Sequence, residues 1–289
     1  MNLSRNEKIA WLKANKADQI ALKKATVKHC DAGIVPFVDK HNGLTVKMLE
    51  RNLPLDTDEV IYRTLIANTY NYMDSHDDVH LNGTFKKSIQ ETKKIFLLHD
   101  HKFEVGAQIG RIMKAYEQEG RFIFFGYNNS KDTQALLLDV AIEKAKNESV
   151  FNQYKNEEID QHSVGMQYVQ VDLALDDKAD PAAYALYHRT LPLIGNSDEV
   201  EKQGYFFAVH EAKLRETSAV LMGSNPITGV FDNNKTVTTI DEIQKIVDEF
   251  GNKDDIYKLC KQYVDTFKQP EPIIITHIEK KPSIYQFIK

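Results

Sequence analysis

The segment HSVGMQYVQV, residues 162–171, alternates along its length and reads as part of a β-strand over 163–173. Ser163, Gly165 and Gln167 then lie on one face. Two other distant segments have the same strand-like apolar character: LLHDH at 97–101 and LRETSAV at 214–220. Together the three supply a hydroxyl, an imidazole and a carboxylate. A serine hydroxyl is a poor nucleophile until a nearby base takes its proton, and a neutral imidazole needs a third group to fix its tautomer. Such a site is defined by geometry, so chain order alone does not establish it. Without further context, a strand serine is a small residue at a tight core position and a strand glutamate is inert.

Further strands are expected at 59–72 (EVIYRTLIANTYNY), 93–99, 107–114, 120–126, 204–210 and 213–222. A helix is expected over 4–25, opened by the capping box of Ser4 and Glu7, with a thin apolar stripe of Ile9, Leu12 and Ile20. DTQALLLDVAIEKAK, residues 132–146, has helical spacing, with Leu136, Leu137, Val140, Ala141 and Ala145 on one side. His41-Asn42-Gly43 and Asn225-Pro226 are turn signals. Thr239 and Glu242 form a second capping box, a further helix is expected over 254–268, and Pro270 and Pro272 lead into an extended tail. Many strands interrupted by a few helices imply an α+β chain, with a β-barrel or β-sandwich core and helices outside. The parts are an N-terminal helix and loop extension (1–55), a central domain (56–230) and a C-terminal helical extension and tail (231–289).

Of the 289 residues, 42% are hydrophobic and 27% charged, ordinary for a soluble globular protein with a sizeable core. A net charge of −5 gives no strong pull toward nucleic acid or an anionic membrane. The first thirty residues are locally basic, which reads as a solvated helix face. Cys30 and Cys260 stand in unrelated contexts, so neither a disulfide framework nor a zinc spacing is indicated. The N-terminus lacks the apolar stretch of a secretory signal, and no run is long enough to cross a bilayer. A cytosolic location follows as the expectation.

Two other patterns carry residue types with chemistry of their own. His76, Asp77, Asp78 and His80, with His99 and His101, have the donors for a metal ion, but the first four read better as an acidic turn. GSNPITG at 223–229 lacks the lysine of a phosphate-binding loop and is a turn. No metal or other cofactor is expected.

Five segments in order resemble the prohead (procapsid maturation) protease family of tailed bacteriophages, which shares its fold with the herpesvirus assemblins. MDSHDDVHLNGTFKKSI, residues 73–89, is similar to the family's acidic turn followed by Gly-small-Phe and a basic-Ser helix start. IFLLHDH and then QIGRIMKAYEQEGRFIFFGYN resemble its histidine strand and its Ile-Gly-Arg strand with partner. HSVGM resembles the Ser-apolar-Gly nucleophile strand, and LRETSAVLMGSNPIT the Glu-apolar-Ser strand ending in a small-Asn-Pro turn, with Thr217 at the apolar position. The likeness covers roughly residues 55–230.

The resemblance implies a serine endopeptidase with a barrel-like, assemblin-like core. Ser163 would be the nucleophile and Glu216 the third member. Two histidines compete as base: in an extended strand His99 and His101 share a face. His101 fits better because Asp100 precedes it and Ile109-Gly110 follows nearby. Assemblins use a second histidine in place of the carboxylate, which makes His210 the rival of Glu216. Arg111 and Arg215 are weighed as helpers of the oxyanion and left unassigned. By the same resemblance, the substrate would be scaffold or the major capsid protein, and the enzyme would also cut itself. It would work inside the procapsid in the infected host's cytoplasm, with no nucleic acid or membrane partner. Assemblins dimerise to become active, which raises a homodimer. The rival class is an inactive capsid-assembly or scaffold protein that keeps the protease fold.

Overall fold

The computed structural model describes residues 3–28 and 53–231, all within the first of two compact units, Met1–Val237. The expected turn at 41–43, the capping box at Thr239, the helix at 254–268 and the tail fall outside the described residues.

Two sheets form the core of this unit. The larger is built on two long antiparallel strands, β7 (His162–Leu175) and β8 (Tyr205–Ala219). β1 (Val27–Lys28) pairs with the outer edge of β7. On the far side of β8 lie β3 (Asp78–His80) and β4 (Phe96–His99), both parallel to it and at opposite ends. The smaller sheet is antiparallel, in the order β2 (Val60–Thr69), β6 (Asp132–Glu143), β5 (Gly110–Arg121). Leu65, Leu138 and Ile142 from the smaller sheet and Met166, Leu173 and Leu214 from the larger share one buried cluster. The chain is therefore α+β with sheets dominating, and the described strands form no closed barrel.

Several segments differ from the expectation, each for a physical reason. Residues 132–146, expected as a helix, contain the central strand β6. Leu136, Leu137, Leu138, Val140, Ala141 and Ile142 are all buried because both faces of this strand are covered. A strand apolar on both faces loses its period of two and imitates a helical stripe. FIFFG at 122–126, expected as a strand, is instead a 3₁₀ turn over Phe122–Phe125. It ends at Gly126, whose φ of 90° an L side chain would resist. The expected strands at 204–210 and 213–222 are one 15-residue strand, β8.

The N-terminal segment forms two helices, α1 (Arg5–Ala14) and α2 (Lys16–Ala25). The Ser4–Glu7 capping box is present. The break falls at Asn15, whose side-chain amide and backbone N–H both donate to the Trp11 carbonyl, a local bond that competes with helix continuation. Four of the basic residues here do more than face solvent. Arg5 pairs with Asp176 at 2.7 Å, Lys13 with Asp177 at 2.8 Å, Lys16 with Asp180 at 2.8 Å, and Lys23 with the buried Asp78. Short helices α3 (Lys86–Glu91), α4 (Glu148–Lys155), α5 (Pro181–Thr190) and α6 (Ser197–Gln203) complete the described chain. No helix among the described residues is long and apolar enough to cross a membrane.

Candidate active site

The register of β7 on β8 sets the site. Ser163 lies opposite Ser218, and Gly165 opposite Glu216. Directly opposed residues share a sheet face, as do residues two apart in one strand. All four positions therefore project to the same side. A bulge at Arg215 interrupts the pairing immediately beyond Glu216; bulges recur next to active sites, where they re-aim a side chain.

The histidine arrives from β4, which runs parallel to β8 with Phe96 opposite Glu216 and His99 opposite Ala219. The strand stops at His99, so the alternation expected to bring His99 and His101 to one face does not hold. Asp100 and His101 have φ of 52° and 54°, and the Lys102 N–H donates to the His99 carbonyl at 3.2 Å. Two successive positive φ values closed by such a bond mark a type I′ turn. Asp and His tolerate this region better than most residues, at a cost on the order of 1 kcal/mol each. Three contacts offset it. The Asp100 N–H donates to the Ala219 carbonyl at 3.0 Å, the His101 N–H donates to Ser218 Oγ at 3.1 Å, and His101 Nδ1 lies 2.6 Å from Glu216 Oε1.

That last contact sets His101 apart from His99. A carboxylate only accepts, so Nδ1 carries the proton toward Glu216 and Nε2 becomes the basic nitrogen. The pair is enclosed: the His101 side chain is 5% exposed and that of Glu216 is 0% exposed. His99 turns away and its Nδ1 sits 3.2 Å from Asp100 Oδ2. The His99 hydrogen bond, with the nearby Lys102, holds the Asp100 carboxyl below its ordinary value.

Two serines stand side by side, and hydrogen bonding separates them. Ser218 Oγ donates to Glu216 Oε2 at 2.6 Å while accepting from the His101 N–H. Its proton is already given to a carboxylate, so it serves as a brace. Sequence reasoning assigned Ser218 no role; its position two residues beyond Glu216, on the same strand face, is the signal that could have found it. Among the described residues nothing hydrogen-bonds to the Ser163 hydroxyl. The Ser163–His101 bond of a complete triad is not formed here, and Ser163 is only 4% exposed. Catalytic hydrogen bonds are often long in ligand-free enzymes and tighten on the reacting complex.

Gly165 explains itself by what faces it. A Cβ there would run into the Glu216 carboxylate, Oε1 first. Only a glycine at this rung leaves room for the acid to lie flat across the ladder and reach the imidazole.

The remaining candidates lie elsewhere. His210 is six residues upstream of Glu216 on β8, roughly 20 Å along an extended strand, and its Nε2 is 3.1 Å from Asp172 Oδ2. Arg111 pairs with Glu143, and Arg215 donates to Gln167 Oε1 at 3.3 Å. Residues 74–77 form a turn that leads into β3: Asp74 Oδ1 accepts from the His76 and Asp78 N–H groups, and Asp78 accepts from Tyr168. Among the described residues, no group of three or more His, Cys, Asp or Glu side chains is placed to hold a metal ion.

Comparison with family models, curated proteins and solved structures returned no match.

Proposed function

We propose that the chain is a serine endopeptidase with Ser163 as nucleophile, His101 as base and Glu216 as the group that orients the base. The observation that carries this reading is the enclosed His101–Glu216 hydrogen bond, with Glu216 two rungs from Ser163 on the same face of the β7–β8 ladder. In the reaction, His101 Nε2 takes the Ser163 proton as Oγ attacks the scissile carbonyl, giving a tetrahedral intermediate. The C–N bond then breaks, and the imidazolium returns its proton to the leaving amine. Water, deprotonated by the same nitrogen, attacks the ester and releases the acid, restoring the serine. Glu216 holds the tautomer and offsets the imidazolium charge throughout.

The segments quoted above from 73–89, 95–101, 108–128, 162–166 and 214–228 support the narrower reading: a procapsid maturation protease with an assemblin-like core that cuts scaffold or capsid-protein segments and its own tails. It would act within the procapsid in the infected host's cytoplasm, where enzyme and substrate are concentrated. Intact mass after expression tests this, with wild type beside Ser163→Ala. Truncated wild type and full-length variant are expected. Truncation of both at the same positions contradicts self-cleavage. Should both stay whole, the same pair co-expressed with the capsid protein decides between the enzyme and an inactive assembly protein.

A further inference from the structure

A groove of about 420 Å³ runs between β5 and the segment that leads from α3 into β4. Five of its lining residues are cationic: Lys93 and Lys94 on one wall, Arg111 and Lys114 on the other, and Lys146 from the turn after β6. None of its lining residues is acidic. Arg111 and Lys146 share the Glu143 carboxylate, whereas Lys93, Lys94 and Lys114 have no ion-pair partner among the described residues. Apolar surface lies between the charges, including Ile89, Phe96 and Met113, and Met113 is 43% exposed. The β5 wall is also a sheet edge: this 12-residue strand ends the order β2-β6-β5 and, among the described strands, pairs only with β6.

Lysines on an edge strand are a common guard against unwanted strand pairing. That accounts for Arg111 and Lys114 but not for Lys93, Lys94 and Lys146, which face the same space from two other segments. An unpaired edge supplies backbone donors and acceptors to an incoming extended chain, alternate apolar side chains find the floor, and like charges on three walls select the sign of the guest. Nucleic acid fits less well. Phe96 is the one aromatic lining residue, with Lys94 Nζ already 4.6 Å from its ring centroid, and the chain's net charge is −5.

We propose that this groove docks an acidic, extended peptide segment by strand addition to β5. Its use as an exosite for a substrate or partner tail rests on the endopeptidase reading, because β4 links the groove to the catalytic turn. β4 and β8 stand between the groove and Ser163, so the docked segment would lie at least roughly 14 Å from Ser163 at ordinary strand spacing.

The test is binding, made on full-length Ser163→Ala so that turnover plays no part. A fluorescein-labelled peptide with Asp and Glu alternating with apolar residues is titrated by anisotropy, beside its Asn and Gln counterpart. The acidic peptide should bind at least about tenfold more tightly, with affinity falling as salt rises. Lys93→Glu/Lys94→Glu/Lys114→Glu, at three exposed positions, should abolish the preference while leaving the melting temperature unchanged. Equal binding of both peptides, or an unaltered preference in the triple variant, overturns the proposal. So does a single-stranded oligonucleotide that binds more tightly than the acidic peptide and is lost in the same variant. Failure of proteolysis would leave the binding result standing, so the two readings fail separately.

Discussion

Glu216 on β8 and His101 in the turn after β4 are 115 residues apart in sequence, yet Oε1 and Nδ1 lie 2.6 Å apart with both side chains enclosed. In such surroundings a hydrogen bond between an imidazole and a carboxylate is stronger than in water. It fixes which ring nitrogen is basic, and that is the chemical content of the site.

Replacing Glu216 with Gln keeps the shape and removes the acceptor-only partner. An amide can donate to Nδ1 and stabilise the wrong tautomer. Cleavage by Glu216→Gln should fall by about 10⁴, the scale of the equivalent change in a serine protease. NMR provides a readout independent of activity: wild type should show an imidazole N–H resonance downfield of the amide envelope, absent from Glu216→Gln and from His101→Ala.

The two serines should respond oppositely to removal. Ser163→Ala deletes a hydroxyl that has no hydrogen-bond partner among the described residues, so activity should vanish while stability changes little. Ser218→Ala strips Glu216 of a donor and the His101 N–H of an acceptor, both buried, at about 1–3 kcal/mol for each unsatisfied group. Denaturant unfolding of both variants beside wild type checks this. An equal loss of stability in the two would contradict the assignment of Ser218 as brace.

At Gly165 the added methyl of alanine has nowhere to go except into the Glu216 carboxylate. Overpacking of this kind costs about 1–3 kcal/mol, and here it also displaces the acid from His101. Gly165→Ala should therefore lower the unfolding midpoint and lose the downfield N–H resonance together.

The docking of α1 and α2 should depend on pH and salt. Lys13 beside Asp177 and Lys16 beside Asp180 hold those carboxyls below their ordinary value. Carboxyl groups depressed in the folded state contribute fully above their unfolded pKa of about 3.9, and the contribution is lost as pH falls through the lower folded value. At high salt these partly exposed pairs are screened, while the enclosed Lys23–Asp78 pair is not. Trp11 on α1, 47% exposed, is the only tryptophan in the chain, so any change in tryptophan emission comes from this helix. The emission should change below about pH 3.9 and shift partly with salt at neutral pH.

Much of the site could be read from local pattern. Alternation in HSVGM gave the face shared by Ser163 and Gly165, whereas the turn that seats His101 was not legible, because LLHDH reads as one extended strand. Strand β6 was not legible, because a strand buried on both faces carries the same apolar run as a helix. The 3₁₀ turn at Phe122–Phe125 was hidden by β-favouring aromatics, and only Gly126 marked it. Ser218 was missed because a bracing hydroxyl has no sequence signature beyond its spacing from Glu216. The ion pairs of α1 and α2 reach Asp176, Asp177 and Asp180, more than 160 positions away, and such pairings follow from tertiary contact alone.

The most direct test of the central claim is covalent labelling with a small fluorophosphonate, mapped by peptide mass spectrometry on wild type, Ser163→Ala, His101→Ala and His99→Ala. Since Ser163 is buried, labelling is followed across mild denaturant up to the onset of unfolding. The account predicts a single adduct on Ser163 that persists in His99→Ala and disappears in His101→Ala. An adduct on another serine, or labelling of Ser163 that survives loss of His101 but not of His99, would contradict it.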